Sequence, residues 1–392
     1  MDNLADNVAR LCVEKYTLLR EASKPNAREW TVLSGVVMRN ADGVLSVVAL
    51  ATGTKCLGDS ELLKSTREEA GSRLSDSHAE VLARRAFIRY LYDQTDLTLS
   101  GRESAIFSRT DREKLDLNNE VSFHFFSSQT PCGDCSILPK RKTDNDHERC
   151  KIRRVDTNII TSQDVYRTGA KCVREERAQD PRLPGADYHV VGPLRTKPGR
   201  GDPTSSLSCS DKMAKWLVLG LQGSLLSLII PPIKLSSVTI GGDCPFSLDA
   251  MERGLYKRFN TKLARLDIFQ AKTAFAHKKG QERSYPCPVS IIWCAARHSP
   301  LELAVAGRKQ GLTKKRRGNN LLLVTRRMLL QSFLQIFDKH RNYYGEIRHP
   351  KKMTYYDWKQ WSITYQNKWK QLKCESFLNW PCKSIHLQRF AL

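Results

Sequence analysis

The sequence predicts an α/β fold, one domain with embellishments, and three observations carry that reading. Apolar β-branched runs alternate along the chain with amphipathic helical runs. No internal repeat is visible. No Gly/Ser-rich linker separates two cores. Taken in order, residues 8–22 read as an amphipathic helix with Val8, Leu11, Cys12, Leu18 and Leu19 toward one side, closed by Pro25. Trp30–Met38 and Leu45–Ala51 read as strands joined at Asn40-Ala41-Asp42-Gly43, a hairpin signal. His78–Tyr92 reads as a helix and Val121–Ser127 as a strand. Pro131 then stands where a helix would start, at its first position. Residues 139–206 are polar, basic and broken by Pro and Gly, the composition of a long functional loop region. Cys209–Leu228 reads as a helix, and Val238–Ile240 and Ser290–Ala296 as short core strands. Ser247–Asn260, Asn320–Asp338 and Tyr355–Lys373 complete the set as helices.

The 392 residues carry 64 Lys+Arg against 41 Asp+Glu, a formal net charge of +23, with a hydrophobic fraction of 40%. That fraction supports a packed core and excludes a chain disordered throughout. The charge calls for a polyanionic partner: nucleic acid, an acidic membrane surface or a small, highly phosphorylated molecule. The N-terminus, Met1-Asp2-Asn3-Leu4-Ala5-Asp6, has neither the basic nor the apolar region of a secretory signal. Residues 216–233 are uncharged, but Gly220, Gln222, Gly223 and the pair Pro231-Pro232 mark a buried helix ending in a turn, not a membrane span. Twelve cysteines in a chain of this length do not form a secreted disulfide framework. The expectation is an intracellular protein of the cytoplasm, the nucleus or both, with reduced thiols, no membrane association and no obligate protein partner.

The sharpest local pattern is Asp76-Ser77-His78-Ala79-Glu80, followed by Thr130-Pro131-Cys132-Gly133-Asp134-Cys135. His-x-Glu followed by Pro-Cys-x-x-Cys is the signature of zinc nucleobase deaminases. A catalytic zinc ion takes three protein ligands and leaves a fourth position for water, and one imidazole with two thiolates suits it. Its charge makes water acidic enough to act as a nucleophile. Glu80, two residues after His78, stands beside such an ion without binding it and can carry the proton. His78 and Cys132 are the clear ligands. For the third, local spacing nominates Cys135, while Cys209 in Ser208-Cys209-Ser210-Asp211-Lys212 is a second thiol at the start of an apolar helix. His124, inside a strand, reads as a satisfied structural histidine.

Four segments together carry a resemblance: residues 75–92 (SDSHAEVLARRAFIRYLY), 130–134 (TPCGD), 194–202 (LRTKPGRGD) and 208–227 (SCSDKMAKWLVLGLQGSLLS). They resemble the adenosine deaminase domain of RNA-editing enzymes, over essentially the whole chain. The segments RTKPGRG and GRKQGLTKK, residues 195–201 and 307–315, resemble the tRNA-specific members of that family. The resemblance implies a single deaminase domain over residues 1–392, with the zinc site in 30–240 and a polyanion-binding part in 241–392. It implies the cytidine-deaminase-like sandwich, a mixed sheet with helices on both faces, extended by C-terminal helices. It implies hydrolytic, zinc-dependent conversion of adenosine to inosine, with Glu80 catalytic and Cys209 as the third ligand beside His78 and Cys132. The substrate it implies is a tRNA, at adenosine 37 beside the anticodon of alanine tRNA. An editor of double-stranded or messenger RNA is the alternative, and a non-catalytic RNA-binding protein on the same fold is another. The chain reaches its deaminase segments almost at once, which leaves no room for preceding double-stranded-RNA-binding domains. Arg200 stands where those editors carry an acidic or amide residue between two glycines, and an unstacked loop base needs no such residue. Retention of Glu80 speaks against the non-catalytic reading.

Helical spacing also places bases inward. Arg85 is seven residues after His78, two turns on, and Lys212 is three after Cys209, so both share a face with a proposed ligand. An unpaired buried charge costs several kcal/mol. Either these side chains reach solvent or acidic partners, or a buried polyanion meets them. The resemblance implies the latter, an inositol hexakisphosphate in the core. The contacts it implies are Ser75, Val81, Arg84, Arg85, Lys212, Lys215 and Gly223, and in the C-terminal part Arg326, Tyr355, Lys359, Tyr365, Trp380 and Lys383. Trp369 stands where the family carries Lys, and Cys382 and Gln388 where it carries acids. Asp76, Lys197 and Lys212 match a hydrogen-bond relay between the zinc thiolate and the phosphates. The basic runs Lys140-Arg141-Lys142, Arg149 to Arg154 and Lys314 to Arg317 lie in polar loops and suit phosphate contacts; the last also suits a nuclear localisation patch.

Overall fold

Eight strands form the central sheet: β1 (Leu33–Arg39), β2 (Leu45–Thr52), β3 (Ser122–Ser127), β4 (Ser237–Ile240), β5 (Asp267–Gln270), β6 (Val289–Cys294), β7 (Leu301–Val305) and β8 (Arg308–Lys309). Their order across the sheet is β5-β4-β3-β1-β2-β6-β7-β8. β3, β4 and β5 run parallel to one another, and every other neighbouring pair is antiparallel, so the sheet is mixed. The computed structural model describes residues 2–64, 66–109, 115–140, 164–173, 179–181, 188–199, 201–258, 266–311, 320–340, 353–382 and 384–392. Arg141, Lys142, the runs Arg149 to Arg154 and Lys314 to Arg317, Arg200 and Lys383 lie outside the described residues.

The helices are α1 (Asp2–Thr17), α2 (Asp59–Leu63), α3 (Ala79–Leu99), α4 (Cys209–Leu219), α5 (Gly223–Leu226), α6 (Leu248–Glu252), α7 (Arg326–Lys339), α8 (Tyr355–Trp361) and α9 (Ile363–Ser376). Strand alternation sends successive side chains to opposite faces, and the two faces bury against different helices. Val37, Leu50, Phe126 and Ile291 pack with Val8, Ala9, Cys12 and Tyr16 of α1. Their neighbours Val36, Ala49, Phe125 and Ile292 pack with Leu82, Ala86, Phe87 and Leu91 of α3. The expected α/β sandwich, with helices on both faces, is thus the one observed. His124, on the same strand as Phe125, is satisfied as expected: Nδ1 pairs with Ser237 Oγ at 2.9 Å and Nε2 with Ser122 Oγ at 3.1 Å.

Several element boundaries differ from those the sequence predicts. The run 209–228 is broken at Gly220, whose φ of +86° ends α4 before the chain turns into α5. The run 247–260 shortens to α6 followed by a single π-helical turn, Arg253–Lys257. α7 starts at Arg326 rather than 320 because the Thr325 side chain caps it, accepting from Met328 N at 3.4 Å. The run 355–373 is two helices divided at Ser362, the first opened by a capping box of Thr354 and Asp357. No helix forms at Pro131; only a 3-10 turn, Asp134–Ser136, follows Cys132. The strand Leu301–Val305 was not predicted, although its alternating burial is visible in Leu-Glu-Leu-Ala-Val. Among the described residues no helix is long and apolar enough to cross a membrane.

Phe87 joins α3 to the sheet: it is fully buried and meets Phe123 of β3 edge to face at 5.0 Å. Phe87→Ala removes that packing and leaves a cavity, so it should cost about 3–5 kcal/mol, read as a lower midpoint in urea unfolding.

Candidate active site

His78 ends a three-residue strand, Asp76–His78, which pairs antiparallel with Thr54–Cys56 and leads into α3 as its N-cap. Cys132 lies in the loop that leaves the carboxyl end of β3. Cys209 is the first residue of α4, behind Ser208, whose hydroxyl accepts from Asp211 N. These elements bring one nitrogen and two sulfurs together. The donor atoms of His78, Cys132 and Cys209 lie within 4.8 Å of one another. His78 Nδ1 is 3.6 Å from Cys209 Sγ and 3.9 Å from Cys132 Sγ, and Cys209 N donates to Cys132 Sγ at 3.3 Å.

Gly133 allows the two cysteine segments this approach. Its φ is +103°, and a Cβ there would stand 2.3 Å from Ser208 Oγ. That positive φ is also why the Pro131 segment does not run on as a helix. Ser210 locks the junction: its hydroxyl donates toward the carbonyls of Pro131 and Cys132 at 3.1 and 2.9 Å and accepts from Cys135 N at 3.1 Å.

Cys135, the ligand that local spacing nominates, is not part of the cluster. It is fully buried, beside Met251 O at 3.9 Å, and burial pushes its thiol up to about 12. The chain turns at Gly133, φ +103°, and carries Cys135 away from the cluster, in which Cys209, the thiol implied by the resemblance, stands with His78 and Cys132.

The charges around the sulfurs are ordered. A hydrogen bond from Cys209, helped by Lys197 and His78, holds Cys132 well below the usual thiol range. Burial, and then the adjacent Cys132 sulfur, raise Cys209. Lys197 Nζ donates to Cys209 Sγ at 3.1 Å and to Asp76 Oδ2 at 2.8 Å. Burial by itself would lower Lys197, but Asp76 and the sulfurs outweigh it and keep the ammonium protonated. Burial would likewise raise Asp76, yet Lys197 and Lys212 hold it well below the ordinary carboxylate range. Glu80, 4% exposed, is raised by burial. One imidazole and two thiols converging with an acid of raised proton affinity alongside are the donor chemistry that a catalytic zinc ion requires.

Asp76 also connects this cluster to a cavity of about 560 Å³ behind it. Lys212 Nζ bonds Asp76 Oδ2, and Ser206 Oγ bridges the two at 2.9 Å to Asp76 and 2.6 Å to Lys212. Of the residues implied as polyanion contacts, Ser75, Val81, Arg84, Arg85, Lys212, Lys215, Arg326, Tyr355, Lys359, Tyr365 and Trp380 all line this cavity. Gly223 does not line it but lies under Arg84, where a Cβ would come within 3.3 Å of the guanidinium. Arg84 Nε and Arg85 Nη2 are buried without a hydrogen-bond partner. Burial lowers Arg84, and lowers Arg85 to about 10 with help from Arg326. The departures have local compensation: Trp369 sets its ring 3.4 Å from Lys215 Nζ, with Trp380 at 5.0 Å, and Gln388 Oε1 accepts from Lys359 Nζ at 3.1 Å.

The chain matches the family described as the adenosine-deaminase (editase) domain over residues 49–384. It belongs to that family. The resemblance read from its four segments is therefore upheld, and the chain is a deaminase enzyme. It is 34% identical to tRNA-specific adenosine deaminase 1 of Drosophila melanogaster, over 98% of this chain and 96% of the relative. Identity to the Homo sapiens protein of the same name is 32%, over 96% and 97%. The double-stranded RNA-specific adenosine deaminase of Mus musculus is 30% identical over 76% of this chain, but that match spans 25% of the relative.

Sequence reasoning missed Thr54, Ser206 and a set of buried ion pairs. Thr54 sits opposite His78 in the short strand pair, and its buried hydroxyl has no hydrogen-bond partner. Only the strand-like run Ala51-Thr52-Gly53-Thr54-Lys55-Cys56, which leaves the end of β2, hinted at it. For this deaminase, Gly133→Ala should lower stability by about 1–3 kcal/mol from backbone strain alone, measured as a lower thermal midpoint.

Proposed function

We propose that this chain is a zinc-dependent hydrolase that converts adenosine to inosine in transfer RNA, acting on adenosine 37 beside the anticodon of alanine tRNA. The convergence of His78, Cys132 and Cys209 beside the buried Glu80, in a member of the adenosine-deaminase family, carries the reading. The near-complete overlap with relatives named tRNA-specific adenosine deaminase 1 supports a tRNA substrate over double-stranded RNA.

His78, Cys132 and Cys209 would hold the zinc ion, which supplies a Lewis acid at which water becomes a nucleophile near neutral pH. Glu80 would accept the first proton of the attacking water on its carboxylate and pass it to ring N1, then carry the second, from the oxygen now on C6, to the departing ammonia. The water oxygen bonds to C6 and the C6–N bond breaks, so water and adenosine become inosine and ammonia. Lys197 holds Cys209 by its sulfur and Asp76 by its carboxylate, so an ammonium stands ready to favour the Cys209 thiolate that a bound metal would require. Thr54, whose buried hydroxyl opposite His78 has no hydrogen-bond partner, would be a contact for the bound nucleoside.

An inositol hexakisphosphate in the cavity behind Asp76 completes the reading. The unsatisfied buried nitrogens of Arg84 and Arg85, with Lys212, Lys215, Arg326 and Lys359 around them, fit a ligand of that charge. Ser75, Val81, Gly223, Tyr355, Tyr365, Trp380 and Lys383 would complete the contact set. The path Cys209, Lys197, Asp76, Lys212 then runs from the metal to the phosphates.

Unmodified alanine tRNA should yield inosine with the purified chain, while free adenosine should not. Absence of inosine from the tRNA with zinc bound would overturn the assignment. Glu80→Ala should abolish inosine formation with zinc retained. Cys209→Ala should lose zinc, and Cys135→Ala should keep it, by atomic absorption. Phosphorus analysis after removal of RNA should recover one inositol hexakisphosphate per chain, and Arg84→Ala with Arg85→Ala should lose it. A phosphorus count near zero in the wild type refutes the buried polyanion.

A further inference from the structure

The two cysteine segments share a feature that the proposed chemistry does not use. Each thiol is followed two residues later by an aspartate, as Cys132-Gly133-Asp134 and Cys209-Ser210-Asp211. Both aspartates are 1% exposed, and both face one guanidinium. Arg258 Nη2 bonds Asp211 Oδ1, and Arg258 Nη1 stands 3.7 Å from Asp134 Oδ2. The remaining carboxylate valences are also taken. Asp134 Oδ1 accepts from Arg253 Nε at 2.7 Å, and Oδ2 from Gly192 N at 2.5 Å. Asp211 Oδ2 accepts from Ser208 Oγ at 2.6 Å and from Arg195 N at 3.1 Å.

Both arginines come from the π-helical turn Arg253–Lys257 and the residue that follows it. A π turn inserts a residue into a helix and re-aims the side chains around it. The turn lies directly on the cysteine loop: a Cβ on Gly254 would come within 2.4 Å of Cys135 Sγ. Arg253 reaches the Cys132 segment alone, whereas Arg258 reaches both segments. Two carboxylates buried near one another repel unless a cation stands between them.

We propose that Arg258 is a positioning residue for the metal site: by holding Asp134 and Asp211 on one guanidinium, it sets the separation of the Cys132 and Cys209 sulfurs. The inference rests on the assignment of those two cysteines as metal ligands. The planar fork is essential to it: Nη2 bonds Asp211 while Nη1, donating to Gly192 O at 3.1 Å, keeps its charge 3.7 Å from Asp134, a span that one compact ammonium does not reproduce. The action of Arg258 passes through the two three-residue segments that end in Asp134 and Asp211.

Cobalt(II) in place of zinc reports this directly, since its visible bands follow ligand geometry and its sulfur charge-transfer band follows thiolate number. The full-length chain would be loaded with cobalt, and its zinc affinity measured by competition with a chromophoric chelator. Arg258→Ala should shift the visible cobalt bands and weaken zinc binding on the order of 10–100-fold. Arg258→Lys keeps the charge without the fork; it should fold by circular dichroism and still show the shifted bands, and it decides the matter if Arg258→Ala does not fold. Arg253→Ala should leave the bands unchanged. Wild-type bands and affinity in folded Arg258→Lys overturn the proposal, as does an equal shift in Arg253→Ala, which would mark general loosening. Cys209→Ala separates the underlying assignment: an unchanged charge-transfer band there refutes the ligand set itself, whatever Arg258 does.

Discussion

A cation that loses its water must meet negative charge, and the interior of this protein is arranged around that requirement. Asp76 illustrates it. Its carboxylate takes Lys197 and Lys212 at once, and the backbone N of His78 donates to its other oxygen at 3.0 Å. One buried acid thereby holds two ammonium groups and fixes the entry of the chain into the site. Arg195 meets the requirement through Asp180, and Arg258 through Asp211 and Asp134. Arg84 and Arg85 do not meet it within the protein, because buried nitrogens on both lack partners. The cavity they border is where the proposed polyanion would supply that charge. The +23 of the sequence therefore divides into an inward share that structures the core and a remainder outside it.

The sheet makes this arrangement affordable. Its two faces are covered by α1 and α3, so the apolar core is complete without the polar cluster. The site forms where β3 ends and α3 and α4 begin, at element termini, where backbone direction changes and side chains of remote segments meet. His78 and Cys209 sit on helix starts, positions held by the helix hydrogen bonds behind them. Cys132 has no helix of its own and depends on Ser210 and Gly133 for its position. The third segment, with Lys197, lies across both and links the sulfurs to the cavity wall through Asp76.

Much of this was legible in the residues. The two-residue period of the strands marked both faces of the sheet, since Val36/Val37 and Phe125/Phe126 divide between the two cores. The seven-residue step from His78 to Arg85 correctly turned a base inward, because helix geometry is local. Four of the boundaries that failed did so at single residues with strong local preferences, Gly220, Gly133, Thr325 and Ser362, while the run from 247 gave way to a π-helical turn. The choice between Cys135 and Cys209 could not be read from spacing, because separation along the chain says nothing about a turn with positive φ. Family resemblance supplied that choice, and the fold gave the reason.

By itself the sequence determined the fold class, the kinds of donor side chain on offer (one imidazole, several thiols and a nearby carboxylate) and the excess of positive charge. These follow from periodicity, residue chemistry and counting, all of which are local or additive. The tertiary structure decided which thiol joins His78, which acids neutralise which bases, and where positive charge is left without an internal partner. Those outcomes depend on contacts between residues more than a hundred positions apart, as from Asp76 to Lys197 and Lys212, from Cys209 to His78 and from Arg253 to Asp134. Pairing at that range is a property of the packed chain, where desolvation makes every buried charge answer to its neighbours.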